Sequence, residues 1–184
     1  DDARVRARLA RDGSLFRGYH PEMEAVHRRN AERLAAILDR HGWPGQALAG
    51  EDGAAAAWLV AQHAISMPAF MRRARTLLAE AVERGDAPAA QLAHLEDRIR
   101  TLEGRPQLYG TQLDWDESGQ LAPLPLEDEA HVDERRAATG LGPLRAHAAS
   151  ARASAARDGE QPPPDLEARR REMAAWARSV GWRD

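Results

Sequence analysis

The 184-residue chain contains no cysteine, and every one of its 26 basic residues is arginine rather than lysine. Without cysteine, the chain forms no disulfides, thiolate nucleophiles or cysteine-based zinc and iron–sulfur sites. Without lysine, it cannot form the Schiff base that pyridoxal enzymes need. Any chemistry must therefore use histidine, carboxylates, arginine and amides. The heavy use of alanine and arginine also indicates a GC-rich, actinomycete-like genome.

Long apolar runs and charge of a single sign are also missing. No stretch approaches the roughly 20 apolar residues that span a bilayer, and the chain begins with Asp1 and Asp2 rather than with a basic signal sequence. The net charge is only −3, and basic residues alternate with acidic ones instead of forming a block that would bind nucleic acid. We therefore expect a soluble, cytoplasmic protein that binds neither membranes nor nucleic acid.

Apolar residues at spacings of three and four dominate the first half of the chain, and this pattern is typical of amphipathic helices. After Gly104 the character changes, because β-forming residues surround a turn-like segment at 116–119. We predict a mainly α fold, a compact helical domain with one small β-hairpin or irregular loop insertion. The predicted helices cover residues 21–41, about 53–64, 68–85, 88–102 and 132–139, and the hairpin lies within 107–126.

The last forty residues predict a change of organisation. Residues 146–164 are rich in alanine, serine, arginine and proline and poor in large apolar residues, which favours a poorly packed helix followed by a linker. Residues 165–184 carry a thin apolar stripe and are predicted to form a C-terminal helix. The predicted division is one helical domain over 1–145 with the site, a linker over 146–164 and a helix that docks on the domain or on a protein partner.

Two histidines and two amides are predicted to point into the helical core. Gln62 and His63 lie near the end of an apolar helix, and His27 and Asn30 lie on the core-facing side of the 21–41 helix. A buried histidine is usually a hydrogen-bonded core residue. Together, however, they are more polar groups than a helical bundle of this size would bury without a function, which favours a binding or catalytic site.

A second polar set follows the fourth predicted helix. Residues 109–112 (YGTQ) place hydroxyls and an amide around a glycine that permits close backbone approach to a substrate. The ion pairs at 97–98 and 133–136 are explained most simply as solvated helix surfaces. Alternatively, Arg98, Arg135 and Arg136 supply forked donors for a carboxylate, phosphate or sulfate.

Metal ligation is the rival explanation for His27, His63, His94 and Asp97. The sequence has no HxxxH or HExxH spacing, and the step from His94 to Asp97 is a single i, i+3 pair. We therefore predict no metal and no cofactor. If a metal is bound, His27 and His63 are its first candidate ligands.

The ordered motifs GWP at 42–44, QHA at 62–64, DR at 97–98, QLYGTQ at 107–112 and VDERRAATGLGPL at 132–144 resemble an uncharacterised bacterial domain family over residues 18 to 145. The resemblance implies a shared polar site without a named reaction. Relatives often carry an acidic residue after QHA, where this chain has Ile65 and Ser66, so that acid is altered or lost here. The resemblance also implies a neighbourhood of antibiotic-pathway enzymes and hence a tailoring role.

The leading hypothesis is a metal-independent enzyme for a small, anionic molecule. It would displace or eliminate sulfate or phosphate, including by ring closure, or catalyse hydrolysis. His63 is the predicted general acid or base, and Gln62 and Tyr109 orient the substrate. The predicted substrate-binding residues are Arg98, Thr111, Gln112, Arg135, Arg136, His27, Asn30, Asp97 and Asp133.

These residues come from separate stretches of the chain, and we expect Gln62, His63, Tyr109, Gln112 and at least one of the three arginines to share one cavity. Two alternatives stay open. The polar set is the pocket of a non-catalytic ligand-binding or accessory subunit, or it is a structural network that fixes the hairpin onto the helices.

Overall fold

Alanine, leucine and arginine all favour helix, and the segments they dominate are helical in the computed structural model, which describes residues 2–11 and 19–184. Within these residues the chain forms eight α-helices and a two-stranded antiparallel hairpin, so the predicted mainly α fold with a small hairpin and a C-terminal helix is confirmed. The elements are α1 (Asp2–Arg11), α2 (Pro21–His41), α3 (Gln46–His63), α4 (Pro68–Glu83), α5 (Ala89–Leu102), β1 (Leu113–Trp115), β2 (Leu121–Pro123), α6 (Val132–Ala138), α7 (Leu144–Asp158) and α8 (Leu166–Ser179), with a short 3-10 helix at Glu129–His131. None of the described helices is long and apolar enough to cross a membrane.

The chain divides into two compact units, a first unit at Asp1–Ala87 and a second unit at Pro88–Asp184. The first contains α1 to α4, and the second contains the hairpin and α5 to α8. This division falls between α4 and α5, whereas the sequence predicted a boundary after residue 145. The reason is that α7 contacts β2 and α6, which gives the C-terminal third its contacts inside the second unit.

The first unit is built around α2, whose predicted bounds are confirmed. Pro21 occupies the first turn, where its missing N–H costs nothing, and Gly42 ends the helix with φ 71. Its buried face contacts α3 and α4. Helix α1, which the sequence analysis did not predict, covers the N-terminal end of this face, where Val5 and Leu9 pack with apolar residues of α2.

Helix α3 carries Gln62 and His63 and begins earlier than the predicted residue 53. Its start is fixed by Asp86, whose side-chain Oδ1 accepts a hydrogen bond from the Ala47 N–H at 2.8 Å. The main-chain oxygen of Asp86 accepts from the Gln46 N–H at 3.3 Å. Gly45 is required at this contact, because a Cβ atom there would lie 2.1 Å from Asp86 Oδ2. The helix is kinked at Gly50, where φ is 69.

The hairpin lies where the sequence predicted it and pairs Asp114 with Ala122. Its turn is organised by Asp116, whose Oδ1 accepts hydrogen bonds from the N–H groups of Ser118 and Gln120, each at 2.9 Å. Such side-chain bonds to the following backbone are the reason that aspartate favours turns. The predicted turn at 116–119 is thereby confirmed.

Residues 146–164, predicted as a poorly packed helix followed by a linker, begin within α7, which extends from Leu144 to Asp158, and residues 159–165 then connect it to α8. The alanines of α7 favour helix, and two of them, Ala148 and Ala155, are buried. Arg152 adds a contact to the hairpin, since its Nε donates to the Leu121 carbonyl at 2.7 Å. Small residues are therefore sufficient here, because they allow the helix to approach β2 closely.

The C-terminal helix α8 also lies against the hairpin of its own unit. Arg169 pairs with Asp114, and Arg170 Nη1 lies 2.8 Å from Glu117 Oε1. After the helix, Arg183 donates to the carbonyls of Thr101 and Leu102 at the end of α5. Docking of this helix on another protein stays a prediction.

Removing the Asp86 side chain should weaken the start of α3. We expect Asp86→Ala to lower the free energy of unfolding by about 0.5–2 kcal/mol, the usual cost of losing a side-chain helix cap. Urea denaturation followed by circular dichroism measures this change. Asp52→Ala, an exposed change on the same helix, is the control. Equal stability of the two variants would contradict the role of Asp86.

Candidate functional site

Three helices of the first unit bring two histidines and a carboxylate together. Asp2 lies at the start of α1, His27 in the first half of α2 and His63 at the end of α3. One carboxylate oxygen of Asp2, Oδ2, lies 2.8 Å from His63 Nδ1 and 3.3 Å from His27 Nε2. The two imidazole rings are 4.9 Å apart between centroids. We call these three residues the histidine cluster.

His27 is the buried member of the histidine cluster, with 8% of its surface exposed. Its Nδ1 lies 2.7 Å from the hydroxyl of Tyr19, in hydrogen-bond contact. Among the described residues, its Nε2 has no geometrically satisfactory hydrogen-bond partner, although Asp2 Oδ2 lies 3.3 Å away. Burial, followed by the charge of His63, lowers the pKa of His27 below its ordinary value.

His63 is the accessible member, since 29% of its side chain is exposed. A carboxylate at Nδ1 fixes the orientation and tautomer of an imidazole and leaves Nε2 to exchange a proton. Tyr19, on the other side of His27, keeps its hydroxyl protonated, because burial raises its pKa. The histidine cluster therefore combines a buried, neutral imidazole with an imidazole that solvent can reach.

The amides predicted for this site lie on the same helices as the histidines. Gln62 is buried, with 5% of its surface exposed, and precedes His63 on α3. Asn30 is half-buried and follows His27 by one helical turn on α2. The predicted inward orientation of His27 and Gln62 is confirmed by their burial.

The second unit contains a different arrangement, centred on a fully buried carboxylate. Asp97 on α5 is 0% exposed. It accepts hydrogen bonds from the N–H groups of Leu108 at 2.7 Å, Tyr109 at 3.1 Å and Thr111 at 2.9 Å. It also accepts from the Thr111 hydroxyl at 3.0 Å. Because a buried charge is costly unless it is hydrogen-bonded, this carboxylate fixes the loop of residues 107–112 in one conformation.

Gln107 joins the same loop to the hairpin. Its Oε1 accepts from the Gln112 N–H at 2.8 Å, and its Nε2 donates to the carbonyls of Gln112 at 3.0 Å and Leu124 at 2.8 Å. The side chain is fully buried, and its amide makes hydrogen bonds to the backbone like those that a neighbouring strand would make. Gln107 belongs to the QLYGTQ motif, and its hydrogen bonds stabilise the conformation of the loop at residues 107–112.

The arginines predicted to hold an anion donate instead to main-chain carbonyls. Arg135 bonds to the carbonyl of Leu108 at 2.7 Å and also to those of residues 127 and 128. Arg136 bonds to the carbonyls of Tyr109 and Gly142, each at 2.6 Å. These contacts use Nε and one terminal nitrogen of each guanidinium group, which favours the structural alternative for both arginines.

The remaining predicted residues of this unit belong to the same network. Arg98 Nε donates to Gln112 Oε1 at 3.1 Å, and burial lowers the pKa of its guanidinium below the ordinary value. Asp133 Oδ1 accepts from the Leu144 N–H at 2.7 Å and thereby fixes the start of α7. The predicted residues thus fall into two sets, one in each unit. They are Gln62 and His63 with His27 and Asn30 in the first unit, and Asp97, Arg98, Tyr109, Thr111, Gln112, Asp133, Arg135 and Arg136 in the second.

Convergence of these two sets on one cavity spans both units and stays a prediction. Within the second unit, a cavity of about 530 Å³ lies between the hairpin turn and residues 162–167. Trp115 and Arg170 contribute to its wall, and none of the predicted site residues lines it.

Sequence reasoning missed Asp2 and Tyr19. Both lie outside the motifs. Asp2 reaches the two histidines because α1 packs against α2, and Tyr19, just before α2, contacts His27. No spacing in the sequence signals this contact. The available signal was the pair of inward histidines, which requires some polar partner when buried.

Comparison with known proteins places residues 18–152 in DUF6624, a family of unknown function, and the chain belongs to this family. The predicted membership of an uncharacterised domain family is thereby confirmed. Neither the curated proteins nor the solved structures include a match to the chain.

The structural role of Asp97 can be tested by an isosteric change. Asp97→Asn replaces an acceptor by an NH₂ group that faces backbone donors, so we expect the free energy of unfolding to fall by about 1–3 kcal/mol. Urea denaturation measures it, with the exposed change Glu129→Gln as the control. A variant as stable as the control would show that the network does not hold this loop.

His94 should make the stability depend on pH. Burial, followed by the nearby charge of His147, lowers the pKa of His94 in the folded state. Asp97, Arg98 and Arg136 also act on it. As the pH falls, His94 binds a proton in the unfolded state before it does so in the folded state. The stability contributed by neutral His94 is therefore present above about pH 6.5 and is lost as the pH falls below that value.

We therefore expect His94→Gln to lose less stability than the wild type when the pH is lowered from about 7 to about 5. Thermal unfolding at a series of pH values measures this difference. Parallel curves for the two proteins would contradict a lowered pKa at His94.

Proposed function

We propose that this member of DUF6624 is a small-molecule enzyme in which His63 transfers a proton and Asp2 and His27 support it. The observation that carries the proposal is the 2.8 Å contact between Asp2 Oδ2 and Nδ1 of a histidine whose side chain is 29% exposed. A histidine oriented by a carboxylate and open to solvent is the usual arrangement of a general acid or base.

The role proposed for His63 follows from its two ring nitrogens. Asp2 contacts Nδ1, so Nε2 is the atom that would accept a proton from a substrate or deliver one to a leaving group. Such transfer typically contributes about 10²–10⁴-fold to a rate. Gln62, the buried neighbour of His63, is the amide proposed to orient the substrate, and the orienting role predicted for Tyr109 stays a proposal.

The substrate class we propose is a molecule with an anionic leaving group. The reaction is displacement or elimination of sulfate or phosphate, including ring closure, or hydrolysis. Arg135 and Arg136 already donate to carbonyls, so they are poor candidates for binding this anion. A tailoring step in specialised metabolism, carried out in the cytoplasm, is the setting proposed for this chemistry.

Turnover of simple esters tests the proposal without knowledge of the natural substrate. The full chain is incubated with nitrophenyl sulfate, nitrophenyl phosphate and nitrophenyl acetate, and release of nitrophenolate is followed. We expect turnover of at least one ester by the wild type. His63→Gln should reduce it by about 10²–10⁴-fold because the proton-transfer group is lost.

The matched control is His41→Gln, which changes an exposed histidine at the end of α2. It should keep the wild-type rate, and circular dichroism should show that both variants are folded. Equal rates for His63→Gln and the wild type would refute the role of His63. Saturable binding of the esters without any turnover would favour the ligand-binding alternative.

A further inference from the structure

We propose that Asp2, His27 and His63 form a binding site for a divalent first-row transition metal of the zinc type. The inference goes beyond the proposed function, because a bound metal would make His63 a ligand instead of the proton-transfer group, and only the assignment of enzymatic chemistry to the histidine cluster rests on that function. The ligand set is one carboxylate oxygen and two imidazole nitrogens.

The spacing of the three ligand atoms fits a single ion. One ligand atom from each residue lies within 4.8 Å of the other two. A tetrahedral ion bound at about 2.0–2.2 Å from each ligand holds its ligand atoms about 3.4 Å apart. The separation between Asp2 Oδ2 and His27 Nε2 is 3.3 Å, close to the separation expected for two ligands of such an ion. The separation between Asp2 Oδ2 and His63 Nδ1 is shorter, at 2.8 Å, because these atoms are hydrogen-bonded, and a bound ion would replace the shared proton and move them about 0.6 Å further apart.

His27 supplies an independent observation that points to a ligand. Buried polar atoms almost always have a hydrogen-bond partner, and each exception needs an explanation such as a bound ion. Nε2 of the buried His27 has no hydrogen-bond partner among the described residues, although Asp2 Oδ2 lies nearby. A cation between these atoms would use both lone pairs and would explain why they approach each other without a hydrogen bond.

The far side of His27 has the contact that a metal-binding histidine normally makes. Such a histidine hydrogen-bonds through its other ring nitrogen, which fixes the ring towards the ion. In this chain, Nδ1 of His27 contacts the Tyr19 hydroxyl at 2.7 Å. Tyr19 is therefore placed as the residue that orients the ligand.

The donor types select the class of metal. Imidazole nitrogens suit zinc, iron, nickel and copper, whereas magnesium and calcium prefer sites made only of oxygen. Structural zinc sites are usually closed by four protein ligands, whereas catalytic sites have three and an open position. The histidine cluster has three ligands, and its His63 edge is exposed. Water in the open position would take over the proton transfer proposed for His63, and His63 would then act as a ligand.

Metal binding is tested on the full chain with Co²⁺ and Zn²⁺. The chelator-treated protein is titrated with Co²⁺, whose visible absorption reports tetrahedral nitrogen and oxygen ligands, and zinc retained after gel filtration is measured by elemental analysis. We expect one equivalent of metal per chain. Zinc should also raise the unfolding temperature, because it binds the folded state selectively.

Asp2→Asn and His63→Gln should each weaken Co²⁺ binding by more than about 100-fold, since even changes next to metal ligands cost 10–100-fold. Both are conservative changes at partly exposed side chains, and circular dichroism checks that the variants are folded. His41→Gln is the matched control and should bind Co²⁺ like the wild type.

The outcomes separate this inference from the proposed function. Wild-type protein that retains no stoichiometric metal, or variants that bind Co²⁺ as tightly as the wild type, would overturn the metal site even if esters are hydrolysed. Stoichiometric metal that is lost in both variants supports the site, even if no ester is turned over and the proposed function fails.

Discussion

The second unit depends on one buried charge, the carboxylate of Asp97. An ionised group without exposure to water is tolerated only when hydrogen bonds replace its hydration. Three backbone N–H groups and one hydroxyl do so here, and all come from residues 108–111. The loop must therefore keep one shape, and the arginines of α6 bind its outward carbonyls. The separate motifs DR, QLYGTQ and VDERR thus describe a single network.

Much of this fold could be predicted from the sequence, because periodicity reports which face of a helix is buried. The bounds of α2 and the position of the hairpin follow from apolar spacing and from turn chemistry at Asp116. Helix α1 could not be predicted in this way, because it presents few apolar residues. Helix α7 packs through alanines, whose small side chains give only a weak periodic signal, so the sequence predicted a poorly packed helix there without its bounds.

The site was predictable in its residue types and less so in their partners. His27 and His63 stand out in the sequence as inward histidines, and the structure places their rings side by side. Their carboxylate, Asp2, lies on a third helix, so no sequence spacing relates it to them. For Arg135 and Arg136, the sequence did not reveal which groups they contact. Their forked donors are visible in the sequence, but whether these meet an anion or a carbonyl depends on the chain segments that fold around them.

In this chain without cysteine, the hydrogen bonds of Arg135 connect two distant parts of the second unit. This one guanidinium connects the carbonyl of residue 108 with those of residues 127 and 128, and so closes a loop of about twenty residues. A secreted protein of this size commonly closes such loops with covalent cross-links. Here the closure is non-covalent and reversible, and it is indifferent to the redox state of its surroundings. An ammonium group could not reproduce it, because it lacks the planar fork that reaches several acceptors at once.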